Sequence, residues 1–138
     1  MQDSLRSAGF SAYYASAPKF FRRLAIAYAD GSFDRLLSKI ARTHVIAIDD
    51  WGLAPLTDTQ KQHLLEVLDD RCGSASTIVA SQFVTDRWHD LIGSPTLADA
   101  IMERILANSH RIDLKGETMR PVKRALKPES KPGGEEDE

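Results

Sequence analysis

A chain of 138 residues with 42% hydrophobic and 28% charged side chains holds one domain at most, with enough material for a core. Its single cysteine, Cys72, excludes an internal disulfide and fits a reducing, cytoplasmic compartment. The four histidines have no pair at zinc-ligand spacing, and no apolar stretch is long enough to span a bilayer, so neither a zinc site, a membrane partner nor a secretory signal is expected. The net charge of −2 conceals an asymmetry: residues 128–138 carry five acids and one base, a balance of −4, which leaves +2 for the rest. Just before them lie Arg111, Lys115, Arg120, Lys123, Arg124 and Lys127, a cluster that suits either nucleic-acid phosphates or a solvated basic face. The domain is placed at residues 1–126 and a disordered acidic tail at 127–138.

In chain order, residues 2 to 8 read as the last turns of a helix stopped by Gly9. Phe10 to Ala15 reads as a short strand. Ser16 stands as a helix cap ahead of Pro18, with Phe20, Leu24, Ala27 and Tyr28 at helical spacing. Asp30-Gly31 breaks that helix, and Ser32 stands as the cap of another carrying Phe33, Leu36, Leu37 and Ile40 on one face. Val45 to Asp49 is a continuous apolar strand. After a loop holding Gly52 and Pro55, Thr57 and Gln60 form a capping box for a helix to about Arg71, with Leu64, Leu65, Val67 and Leu68 inward. Gly73 ends it. Thr77 to Ser81 is a further strand. A short helix starts at Thr85-Asp86-Arg87-Trp88, another at Ser94-Pro95 with Leu97, Ile101 and Ile105, and Arg111 to Leu114 is a fourth strand candidate. Strands alternating with helices make an α/β fold with a mostly parallel sheet.

The stretch His44 to Gly52 organises this pattern. An apolar run suits a strand covered on both faces, and two carboxylates then emerge at the carboxyl edge, where open α/β sheets bind ligands. Asp49 offers hard oxygen to Mg²⁺ and Asp50 a base for a water; ordinary turn chemistry is the alternative. The strand ending at Ser81-Gln82 presents polar groups at the same edge, as a nucleotide site requires.

The ordered set Asp49-Asp50-Trp51-Gly52-Leu53, Ser81-Gln82, Arg87-Trp88-His89-Asp90, Ala98 to Arg104 and Leu114 to Arg120 resembles the IstB-like ATPases, AAA+ P-loop proteins that assist transposases of insertion sequences and are similar to bacterial helicase loaders. The likeness covers residues 10 to 124. It implies ATP and Mg²⁺ as cofactors, a Walker B strand at Val45 to Asp50, Asp49 serving the metal and Asp50 orienting the hydrolytic water. It places Ser81 or Gln82 near the γ-phosphate, Arg104 as an arginine finger toward a neighbouring subunit and Arg120 in a sensor-2-like position. The implied partners are a transposase, non-specific DNA, and further copies or full-length homologues. Read from the residues alone, Arg104 is a helix salt bridge, Arg120 a solvated base, Trp51 and Trp88 core or rim aromatics, Cys72 inert and His89 structural.

The family's phosphate loop, Gly-x-x-x-x-Gly-Lys-Ser/Thr, does not occur, and no Gly-Lys pair exists. The expectation is therefore a fold missing its first strand and phosphate loop, a fragment with impaired nucleotide binding. In such a sheet, Arg111 to Leu114 is poorly placed, pairs with the strand at 77–81, or is completed by another chain. A non-enzymatic remnant that binds DNA or full-length homologues is the alternative. A response-regulator-like or other doubly wound domain accounts for the acidic edge but not for the later arginine motifs.

Overall fold

The computed structural model describes residues 2–107 and 109–114. Among them the order is α1 (Gln2–Ser7), β1 (Ala12–Ser16), α2 (Ala17–Asp30), α3 (Phe33–Arg42), β2 (Val45–Asp49), α4 (Asp58–Arg71), β3 (Ser76–Val79), a 3-10 turn (Thr85–Arg87), α5 (Trp88–Ile92) and α6 (Pro95–Leu106). The three strands form one parallel sheet in the order β1-β2-β3, with Ser16 beside Asp49 and Val79 beside Ile48. Parallel strands need long crossovers, and here α2–α3 and α4 supply them. The observed strands begin or end within two residues of the ones expected.

β2 lies in the middle because its sequence tolerates nothing else: Ile46 and Ile48 are fully buried. They share a face with Ala15 and a core of Phe20, Phe21 and Leu24 from α2, Leu37 and Ile40 from α3, and Leu64 and Val67 from α4. The opposite face is less covered. By register Tyr14, Ala47 and Ile78 lie side by side there, and Tyr14 and Ile78 are 51% and 44% exposed.

The helix ends follow the sequence only in part. Thr57 and Gln60 close the full capping box. Ser16 and Ser32 occupy N-cap positions without a capping hydrogen bond. Ser32 Oγ instead donates to Asp30 Oδ1 (2.5 Å), and this bond and the Ser32 N–H hold the Asp30 carboxyl below its ordinary pKa. The fourth strand is corrected: residues 111–114 form no strand and do not pair with β3, and Ile112 and Leu114 stand 78% and 94% exposed. Their alternating pattern meets no neighbouring edge, and Arg111 lies 3.6 Å from the Asp86 carboxylate. The expected tail at 127–138 lies outside the described residues.

A residue that the sequence marked only as the end of a helix holds the amino ends of the strands. Arg71 is 2% exposed. Its Nη1 donates to the Ile40 and Thr43 carbonyls (both 2.6 Å), Nη2 to Ser76 O (2.5 Å), and Nε to Thr77 Oγ1 (3.0 Å). Among the described residues no carboxylate pairs with it, and burial lowers its pKa from the ordinary arginine value. One guanidinium thus satisfies the last carbonyls of α3 and the first of β3. We expect Arg71→Met to lower unfolding free energy in urea by about 3 kcal/mol or more, because buried carbonyls lose their donors. Arg71→Lys should recover only part of it, since an ammonium cannot span the same acceptors.

Candidate functional site

The carboxyl edge of the sheet gathers Asp49, Asp50, Ser81 and Gln82, as the alternation of elements predicts. Pairing of β2 with the β3 side continues past both strands: Ala80 N–H donates to Ile48 O (2.9 Å) and Trp51 N–H to Ala80 O (3.0 Å). Asp49 to Trp51 and Ala80 to Gln82 are therefore neighbours.

The two acids differ in setting. Asp49 is half-buried; its Oδ1 accepts from the Asp50 N–H (2.8 Å) and its Oδ2 from the Tyr14 hydroxyl (2.6 Å). That phenol on β1 was not foreseen, because it meets Asp49 only through a strand register invisible in the sequence. Asp50 is also half-buried, but its carboxylate has no hydrogen-bond partner among the described residues. Its φ of 55° is left-handed, a conformation that Asp tolerates better than most residues. Asp50 lines a cavity of about 300 Å³ together with Pro18, Phe21 and Arg22 of α2, Trp51, Leu56 and Leu91. Trp51 is 2% exposed, 6.0 Å from the Trp88 ring, and its Nε1 has no partner among the described residues; Trp88 Nε1 donates to Phe83 O (2.9 Å). Both indoles belong to the core, as their reading from the residues alone has it.

The polar pair on the neighbouring strand end divides its work. Ser81 Oγ donates to Trp51 O (2.6 Å) and accepts from Phe83 N–H (3.0 Å), joining the two loops. Gln82 is exposed with no side-chain partner among the described residues. His89 bonds Asp99 of α6 (2.7 Å) in a structural contact.

Arg104 lies elsewhere. Its Nε is bonded to the Asp69 carboxylate and its Nη1 to Ala100 O (2.9 Å); the Asp69 bond holds its pKa above the ordinary value. α4 runs back from the carboxyl edge, and its last turn carries both Asp69 and the Arg71 that binds the start of β3. Arg104 is thus at the opposite edge from Asp49 and Asp50, joined to a carboxylate on another helix rather than one of its own. Arg120 lies outside the described residues. No group of three or more His, Cys, Asp or Glu able to hold a metal occurs among the described residues. None of their helices is long and apolar enough to cross a membrane.

Residues 1–127 match the family described as IstB-like ATP binding protein. The chain belongs to that family. An insertion sequence ATP-binding protein of Sinorhizobium fredii is 46% identical over 110 residues, which are 80% of this chain and 45% of the relative. The ATP-binding protein of insertion sequence IS1162 from Pseudomonas fluorescens is 50% identical over 74 residues, 54% of this chain and 32% of that one. This IstB-like chain spans about half the length of the first of these relatives. Among solved structures, the replication initiator DnaA bound to AMPPCP and single-stranded DNA superposes with a TM-score of 0.62 at 14% identity, covering 72% of this chain and 31% of that one. The DnaC helicase loader gives 0.56 at 20% identity, over 72% and 61%. The α/β architecture with helices and a parallel sheet is therefore a fold shared with this initiator and this loader.

The backbone between the acids and the cavity leaves little choice at Gly52. Its φ is +87°, and an added Cβ would sit 2.9 Å from Leu91 Cδ1 and 3.2 Å from Phe83 Cδ2. Gly52→Ala is expected to lower the urea-unfolding free energy by about 1–2 kcal/mol for the left-handed backbone alone. Asp50→Asn should leave it within about 0.5 kcal/mol, because Asn also accepts that conformation.

Proposed function

We propose that this chain carries the metal- and water-handling side of an ATP site in an insertion-sequence helper protein that assists a transposase on DNA. The observation that supports this reading is the pair Asp49-Asp50 at the end of the buried central strand, beside Ser81-Gln82 on the neighbouring one. The donors fit a hard cation: Asp49 is fixed from both sides, so its carboxylate would meet Mg²⁺ in one orientation, with phosphate and water completing the shell. Bound Mg-ATP would supply a phosphoryl group whose charge the metal draws off. Asp50, half-buried and with no side-chain partner among the described residues, would hold and orient a water. Gln82 rather than Ser81 would reach the γ-phosphate, because the Ser81 hydroxyl is committed to Trp51 O and Phe83 N–H. Arg104 would act on a neighbour's nucleotide after release from Asp69, and Arg120 would assist as a second sensor. Cytoplasmic localisation belongs to this reading.

A second reading, a non-enzymatic protein that binds DNA or full-length homologues, is favoured by a basic surface that charge runs in the sequence do not reveal. Residues 17–42 hold six bases against two acids, and Lys19, Arg22, Arg35, Lys39 and Arg42 are exposed on the α2–α3 hairpin. The bases are spread over two amphipathic helices and form no run of like charge.

A fluorescent ATP analogue titrated with and without Mg²⁺ separates the readings. The first expects Mg-dependent binding that Asp49→Asn removes. It also expects Asp50→Asn to retain binding and abolish turnover; no binding above a buffer control leaves the second reading alone standing. For DNA, the logarithm of affinity should fall linearly with the logarithm of salt. Reversing Arg35 and Lys39 to Glu should flatten that slope by roughly 0.7–0.9 for each phosphate no longer neutralised. Salt-independent binding would remove the hairpin from the DNA surface.

A further inference from the structure

Two tyrosines stand side by side on β1, and strand alternation sends them to opposite faces of the sheet. Tyr13 lies opposite Ile46 and packs against the core, with Arg23 over its ring at 5.0 Å. Tyr14 lies opposite Ala47, on the face that carries Asp49 one strand repeat further along β2. Its hydroxyl crosses that diagonal and donates to Asp49 Oδ2 (2.6 Å). Long aromatic side chains cover such diagonals between neighbouring strands, and a serine or threonine at this register would fall short.

We propose that Tyr14 is the positioning residue of the metal site: its phenol fixes the Asp49 carboxylate for a divalent cation without itself touching the cation. The inference rests on the reading of Asp49 as the Mg²⁺ ligand. A carboxylate turns easily about its terminal bond, whose torsion is broad and two-fold. The bond from Asp50 N–H to Asp49 Oδ1 (2.8 Å) restrains it only locally, because that amide belongs to the left-handed residue of the turn. The Tyr14 bond ties the other oxygen to a neighbouring strand, so the sheet itself sets the orientation. A carboxylate offers about four acceptor sites, so accepting these two bonds leaves lone pairs for a cation.

The donor is also neutral. A lysine or arginine reaching the same oxygen would form an ion pair and compete with the cation for the carboxylate. A phenol orients the negative charge and leaves it whole. Groups that hold a metal ligand in this way commonly govern metal affinity by roughly 10–100-fold.

The experiment titrates the full chain with Mn²⁺, a paramagnetic ion that takes the same oxygen ligands as Mg²⁺, and reads the free ion by electron paramagnetic resonance. Binding that wild type has and Asp49→Asn lacks defines the site. Tyr14→Phe, which keeps the ring and removes the hydroxyl, is expected to weaken that binding by roughly tenfold or more. The second readout is the ultraviolet difference spectrum of tyrosine. The Tyr14 hydroxyl shares its acceptor with the incoming cation, so a tyrosine signal should grow in wild type at the same Mn²⁺ midpoint. Tyr13→Phe should keep that signal and Tyr14→Phe should lose it. A phenol that serves packing alone gives no such signal.

Tyr14→Phe that binds Mn²⁺ as tightly as wild type overturns the proposal and leaves Asp49 standing as the ligand. So does wild-type binding without the tyrosine signal. Wild-type binding no tighter than that of Asp49→Asn removes the metal reading and the role of Tyr14 with it. Should Tyr14→Phe fail to fold by circular dichroism, the wild-type difference spectrum decides.

Discussion

A buried guanidinium with no counter-ion among the described residues ties this sheet together. Arg71 replaces the water that the ends of α3 and the starts of β2 and β3 would otherwise need, and it does so with donors spaced by one rigid plane. The charge is balanced by carbonyl dipoles, so its burial is tolerable only while all of those carbonyls stay converged. That requirement couples the two crossovers: α3 cannot shift against α4 without exposing the ion. The amino edge of the sheet is thereby its rigid end.

Rigidity at one edge leaves the other free to carry strained and unsatisfied groups. Asp50 in a left-handed turn, Gly52 against Leu91 and Phe83, and an indole N–H without a partner among the described residues all lie beyond the carboxyl ends of β2 and β3. Departures from local rules collect where a fold handles ligands rather than where it is held together. Asp49, fixed by a phenol and an amide, and Asp50, held by backbone alone, thus stand in different settings although their chemistry is identical.

The same division explains the two arginines that bracket the last turns of α4 and α6. Arg71 is committed through its whole fork to main chain and one threonine hydroxyl. Arg104 is held by one carboxylate and one carbonyl and remains about one-third exposed, so its attachment is the more readily exchanged. Family resemblance assigned a role to Arg104 and none to Arg71, because sequence motifs mark residues that meet a ligand and pass over those that meet backbone.

The features legible in the residue order were local and periodic. The apolar run into Asp49-Asp50, the Thr57–Gln60 capping box and the breaks at Gly31 and Gly73 each depend on neighbours a few residues away, and each stands in the structure as read. Alternation of strands and helices then compelled a parallel sheet with both acids at its carboxyl edge. The remainder emerged only on folding: that Tyr14 reaches Asp49, that Ser81 is spent on loop closure, that Asp69 holds Arg104, that Arg71 is central, and that residues 111–114 stay out of the sheet. All of these depend on register and on contacts between distant segments, and hydrophobic period fixes which face a residue takes but not which partner lies across from it.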